Sequence, residues 1–138
     1  MNAYLDTSVL LRLVLGEPAA LDDLSTYEHL VSNELIAVES HRTIDRLRLQ
    51  GALTVDAAIA ALDRVTEWLQ SVDQVLLRTP VLQRASEPLP TPLGTLDAIH
   101  LATARLWRDH TNQPLIVATH DAALGLAART FGFDVRGT

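Results

Sequence analysis

Cysteine is absent from the 138 residues, which removes disulfides, thiolate catalysis and cysteine-based zinc sites together. Lysine is absent as well, since all eleven basic residues are arginine. Schiff-base chemistry, a P-loop and any phosphate clamp built on an ammonium are therefore excluded, while bidentate arginine contacts to phosphate stay available. Aromatic residues make up only 4%, too few for a platform on which single-stranded bases would stack. Long apolar runs are missing too. Val9-Leu10-Leu11 and Leu13-Val14-Leu15 are interrupted by Arg12 and stopped by Gly16-Glu17-Pro18, far short of the ~18 residues of a membrane span. After Met1 no basic region leads into an apolar stretch and a small-residue cleavage site, so the expected location is a reducing cytoplasm, with no membrane partner.

What is present is an ordinary globular mixture, 48% apolar and 20% charged, at a length that fits one domain over residues 1–138. The net charge of −6 argues at first sight against a nucleic-acid partner. Short apolar runs suited to buried strands occur at Ala3-Tyr4-Leu5, Leu30-Val31-Ser32, Gln74-Val75-Leu76-Leu77, Leu115-Ile116-Val117-Ala118 and Phe133-Asp134-Val135. Helical patterns separate them at 7–15, 34–50, 54–71, 95–109 and 121–131, with shorter helices expected near 19–29 and 80–87. Strands that alternate with helices require crossover connections, so the fold class is α/β, with a parallel sheet covered on both faces.

In such a sheet ligands gather at the carboxyl ends of the strands, where strand order reverses. Asp6 ends the first strand, and Asp121 follows the fourth by three residues. Glu39 lies on the helix after the second strand, and Asp97 sits in the first turn of the alanine-rich helix that starts near Thr95. Each has an ordinary structural role open to it. Asp6, Asp97 and Asp121 are placed to cap helices or meet a helix dipole, and Glu39 to pair with Arg42 or Thr43 one turn on. Together they make a different pattern, because carboxylates gathered at one sheet edge repel one another unless a cation joins them. Hard divalent ions such as Mg²⁺ prefer oxygen ligands of this kind, and two such ions suit phosphodiester hydrolysis. Four site carboxylates would account for −4 of the net −6, so an acidic chain remains compatible with RNA.

These residues carry a family resemblance. Tyr4-Leu5-Asp6-Thr7-Ser8-Val9-Leu10-Leu11 resembles the opening of a PIN-domain ribonuclease, in particular the VapC-type toxins of bacterial toxin–antitoxin pairs. The stretches from Ser32 to Arg42, from Leu96 to Ala104, and Ala118-Thr119-His120-Asp121 are similar to the family's later acidic motifs, in order, over essentially the whole chain. The resemblance implies a five-stranded parallel sheet in the order 3-2-1-4-5. It also implies a quartet of Asp6, Glu39, Asp97 and Asp121 that is both catalytic and metal-binding, with Thr7, Ser8 and Thr119 as supporting hydroxyls. Arg42, His100 and His120 are the expected substrate contacts; His100, three residues after Asp97, is alternatively placed to orient that carboxylate or simply to pack. The implied activity is metal-dependent endoribonuclease action with Mg²⁺, or Mn²⁺, as cofactor. RNA is the implied substrate, and a small cognate antitoxin and a second copy of the chain are the implied partners. A PIN-like module that binds RNA or protein without cutting is the alternative. Two other Mg²⁺-using classes fit poorly. A haloacid-dehalogenase-type phosphatase needs a second acid where Ser8 stands, and both it and a phospho-receiver domain need a lysine.

The helix over 54–71 carries two apolar stripes. One runs through Val55, Ile59, Leu62, Thr66 and Leu69, the other through Ala58, Ala61, Val65, Trp68 and Val72. One stripe suffices to seat a surface helix, so the other is expected to meet a partner.

Overall fold

The computed structural model describes residues 1–138. Its strands β1 (Asn2–Leu5), β2 (Leu30–Asn33), β3 (Val72–Val75), β4 (Leu115–Ala118) and β5 (Val135–Arg136) form a parallel sheet in the order β3-β2-β1-β4-β5. The helices are α1 (Thr7–Val14), α2 (Leu35–Leu49), α3 (Val55–Leu69), α4 (Thr79–Ala85), α5 (Thr95–Thr111) and α6 (Ala122–Thr130). The expected class and strand order are thus observed.

Alternation along the central strands divides them between two cores. Ala3 and Leu5 of β1, Leu30 of β2 and Ile116 and Ala118 of β4 face α1, α2 and α3, where Val9, Leu10, Ile36, Ile44 and Val65 meet them. Tyr4, Val31, Leu115 and Val117 face the other way, onto Leu101 and Ala104 of α5 and Leu124 and Ala127 of α6. Strand order reverses between β1 and β4, which are joined in register from Asn2↔Leu115 to Leu5↔Ala118. Past Leu5 and Ala118 the two chains diverge into opposite-facing helices and leave a crevice.

Helix ends follow local chemistry. Thr54 caps α3 by accepting the Ala57 N–H, as its position before Val55-Asp56 predicts. Gly51, with φ +76°, ends the α2 turn in the left-handed region that glycine enters freely.

Three expectations are corrected. β3 begins two residues earlier than the apolar run indicated, because Val72 is buried in the sheet whereas Leu76 lies outside it and exposed. The final strand is Val135–Arg136 rather than Phe133–Val135, since Phe133 packs into the second core ahead of the strand. The segment 19–29 holds only a 3₁₀ turn at Leu24–Thr26. There the Arg136 guanidinium binds both Asp23 and Tyr27, and this tether, with buried Leu24, holds the segment against the domain in place of helical bonds. The expectation for α3 is reversed as well: the stripe expected to meet a partner is the buried one, through Ala58, Ala61 and Val65, with Trp68 partly buried against the same core. Val55 and Ile59, 59% and 53% exposed, are the outward residues. No helix is long and apolar enough to cross a membrane.

Candidate active site

The crevice at the carboxyl end of β1 and β4 holds a connected set of hydroxyls and carboxylates. Asp6 extends the β1–β4 ladder by donating its backbone N–H to Ala118 O across 3.0 Å, which fixes its backbone at the sheet edge. Its side chain does not cap α1. Instead Asp6 Oδ2 accepts two hydroxyl protons, from Ser8 at 2.6 Å and from Thr119 at 2.9 Å. Each hydroxyl oxygen in turn accepts a backbone N–H from the loop after β4: His120 N–H to Ser8 at 3.0 Å and Asp121 N–H to Thr119 at 3.0 Å. Asp6 thus orders the loop that carries Asp121. Asp121 has the capping role its position allows, accepting the Leu124 N–H at 3.0 Å through Oδ1.

Glu39 arrives from α2 on the opposite side. Its Oε1 accepts from Thr7 at 2.9 Å and lies 2.7 Å from His100 Nε2. The pairing with Arg42 that the helix spacing offered is not made, because Arg42 turns to Asp45 at 2.8 Å. Three carboxylates are therefore tethered through one oxygen each, leaving Asp6 Oδ1, Glu39 Oε2 and Asp121 Oδ2 without such a tether. Asp97, in the first turn of α5, is half-buried and is held by no hydrogen bond from the protein.

The charges of the other three acids reach Asp97. Burial first, then the charges of Asp6, Asp121 and Glu39, push the Asp97 carboxyl up to about 6, against a partial offset from His100. Glu39 moves the other way. Burial raises it, but the His100 hydrogen bond and nearby charge, with the Thr7 hydroxyl, outweigh that and hold it below the ordinary carboxylate range. No three acidic or histidine groups are drawn together tightly enough to coordinate an ion as they stand. The donor chemistry nevertheless fits one, since the crevice offers carboxylate oxygens, one of them raised by burial and further by its neighbours' negative charge.

Two expected substrate contacts are corrected. His100 is 0% exposed and so cannot touch a macromolecular substrate; its ring is engaged by Glu39 and by the Tyr4 hydroxyl, and the carboxylate it orients is Glu39 rather than Asp97. His120 directs Nδ1 to Gly137 O at 2.9 Å, and its Nε2 is shielded from solvent without a partner. That ring anchors the carboxyl-terminal backbone instead of meeting phosphate. Arg42 stays exposed at the surface. Tyr4, which the strand pattern places among buried residues, also lies beneath the site. The available signal was a tyrosine two residues before Asp6 in an otherwise aliphatic strand, since a buried phenol requires a hydrogen-bond partner.

Comparison with known proteins agrees with this architecture. The family model described as PIN domain matches residues 3–128. Ribonuclease VapC46 of Mycobacterium tuberculosis is 33% identical over 136 residues, covering 96% of this chain and 94% of that protein.

Proposed function

The chain belongs to the PIN-domain family, and from that premise we propose that it is a divalent-metal-dependent endoribonuclease acting as the toxin of a toxin–antitoxin pair. The observation that carries this reading is the coupling of Asp97 to the charges of Asp6, Asp121 and Glu39 near the β1/β4 switch point, which adds to burial in raising its carboxyl to about 6. A relative that is named a ribonuclease and matches over nearly its full length supports it. Retention of all four acids favours a cutting enzyme over a module that only binds.

In this mechanism Asp6, Asp97 and Asp121 would hold Mg²⁺ or Mn²⁺, with Glu39 as a further ligand or as the group that would position the attacking water. The bound ion supplies acidification of that water and neutralisation of charge on the leaving oxygen. Ser8 and Thr119 keep Asp6 Oδ2 occupied, so Oδ1 is the oxygen Asp6 offers. Water adds to phosphorus and the bond to the 3′ oxygen breaks, leaving a 5′-phosphate and a 3′-hydroxyl. Arg42, exposed one turn beyond Glu39, provides a phosphate contact outside the carboxylate cluster.

The partners belong to the same reading: a second copy of the chain, and a small antitoxin that inserts an arginine among the carboxylates. Such an arginine would pair with groups that otherwise hold the ion, so inhibition and metal binding compete. The proposed setting is the cytoplasm. The decisive test is inducible expression of the chain alone, with sequencing of newly formed 5′ ends. New 5′-phosphate ends at defined RNA positions are expected with the wild type and none with Asp6→Asn. Growth arrest without new ends would favour the binding module.

A further inference from the structure

His100 and Tyr4 form a buried chain beneath the acidic crevice. His100 is 0% and Tyr4 1% exposed, and neither is required to be polar by its surroundings, since Leu101, Val117 and Leu124 fill the same core. A histidine buried there is costly unless both ring nitrogens are satisfied. Both are: Nδ1 lies 2.7 Å from the Tyr4 hydroxyl and Nε2 2.7 Å from Glu39 Oε1. The direction of the chain follows from what each group can do. A carboxylate only accepts, so Nε2 carries a proton, and the tautomer with its proton on Nε2 alone accepts the Tyr4 O–H at Nδ1. Tyrosine donates to histidine and histidine to glutamate, from β1 through α5 to α2. The same Nε2–H stands 3.8 Å from Asp6 Oδ1, so one donor lies between two carboxylates that would otherwise repel.

Building on the ribonuclease reading above, we propose that Tyr4 and His100 are positioning residues for Glu39, fixing its carboxylate beside Asp6 so that Oε2 is presented to the crevice. Glu39 has a long, rotatable side chain, and only Thr7 and His100 restrain it. Without the imidazole donor it would turn toward solvent, away from Asp6, and the site would assemble only at the expense of that restriction. The Tyr4 hydroxyl acts one step further back, by keeping the ring in the tautomer that donates to glutamate.

Two substitutions separate positioning from packing, because a glutamine amide reaches about where Nε2 lies and an asparagine amide about where Nδ1 lies. His100→Gln keeps a donor for Glu39, whereas His100→Asn keeps only the Tyr4 side. The expected result is a fall in kcat of roughly 10- to 100-fold for His100→Asn, the range for groups that orient metal ligands. His100→Gln should recover most of that loss, with KM for RNA unchanged in both. Mn²⁺ affinity, read without RNA by electron paramagnetic resonance, should weaken in the same order. Equal losses in the two variants, or a change confined to KM, would reduce His100 to a packing residue; wild-type kcat and Mn²⁺ affinity in His100→Asn would also overturn the proposal. If a variant fails to fold, imidazole ¹⁵N spectra of the wild type decide the matter: a neutral ring protonated at Nε2 supports the relay, and protonation at Nδ1 refutes it. Tyr4→Phe should broaden or split those signals. The Mn²⁺ and ¹⁵N measurements stand even if the chain cuts no RNA, in which case the ribonuclease reading fails and the positioning of Glu39 is judged on its own.

Discussion

His100 Nε2 lies 2.7 Å from Glu39 Oε1, across sixty-one positions of sequence and between two helices on opposite faces of the sheet. This contact explains why two acids of one site are displaced in opposite directions. Glu39 is held below the ordinary carboxylate range by the imidazole, whereas Asp97 has no hydrogen bond to offset burial and its neighbours' charge and rises to about 6.

The Asp97 displacement makes the metal-free protein more stable in mild acid. Its carboxyl is raised from 3.8 to about 6 in the folded state, so the folded chain holds that proton more tightly than the unfolded one. The resulting penalty is absent below about pH 4, grows between 4 and 6, and is complete above 6. Glu39 is lowered, so its contribution is lost only below about 4.5, outside the window. On lowering the pH from 7 to 5 with EDTA present, the thermal midpoint should rise by a few degrees, on the order of 1 kcal/mol once solvent screening of this half-buried group is allowed for. Asp97→Asn should abolish the rise. A midpoint that falls over the same range in the wild type would contradict the assignment.

Asp6→Asn and Asp97→Asn should each abolish RNA cleavage and toxicity while leaving the fold intact, because both remove a negative oxygen without changing side-chain shape. In the absence of metal, Asp97→Asn should be at least as stable as the wild type, since like-charge repulsion is relieved. Circular dichroism checks the fold, and cleavage with added Mg²⁺ checks the chemistry. Full activity in either variant would remove that residue from the site.

Thr119→Val tests the tether between Asp6 and the Asp121 loop. The hydroxyl is fully buried, donates to Asp6 and accepts from Asp121 N–H. Valine keeps the volume, strands the Asp121 N–H and leaves Asp6 Oδ2 with Ser8 alone, at a cost of about 1–3 kcal/mol. Denaturant unfolding should register that loss, and the rate of cleavage should fall with it. An unchanged unfolding midpoint would mean that the loop is ordered by other contacts.

A 2′-deoxy sugar at the scissile position should slow the chemical step only modestly when measured at saturating substrate, because the proposed nucleophile is water rather than the 2′-hydroxyl. Products should carry 5′-phosphate. Recovery of a 2′,3′-cyclic phosphate would rule out the water mechanism.

The proposed association of two copies, or of chain and antitoxin, is best tested on the outward face of α3. Ile59→Arg changes a side chain that is 53% exposed and should weaken an association while leaving the thermal midpoint close to wild type. Trp68→Arg should destabilise the chain itself, because Trp68 packs against the first core. Light scattering and co-purification with a co-expressed antitoxin give the readout. Unchanged association in Ile59→Arg would assign the partner to another surface.

The α/β class and the parallel sheet were legible in the sequence because each rests on local pattern. Periodicity separates strands from helices, a parallel sheet follows from their alternation, and Asp6 and Asp121 stand at strand ends that topology brings to one edge. Folding decided which groups each acid would meet. Helix spacing offered Glu39 a neighbour in Arg42, but α5 delivers His100 to it and Arg42 turns to Asp45. Both stripes of α3 read as apolar, and the one expected to be left for a partner is the one buried, because Ala58, Ala61 and Val65 allow α3 a close approach to the first core. For His100 the spacing left substrate contact, orientation of a carboxylate and packing all open, and folding joins it to Tyr4 in one buried chain. Such partners lie dozens of positions apart, and their pairing is set by how helices on two faces meet over a strand end, a relation that periodicity and spacing along the chain do not encode.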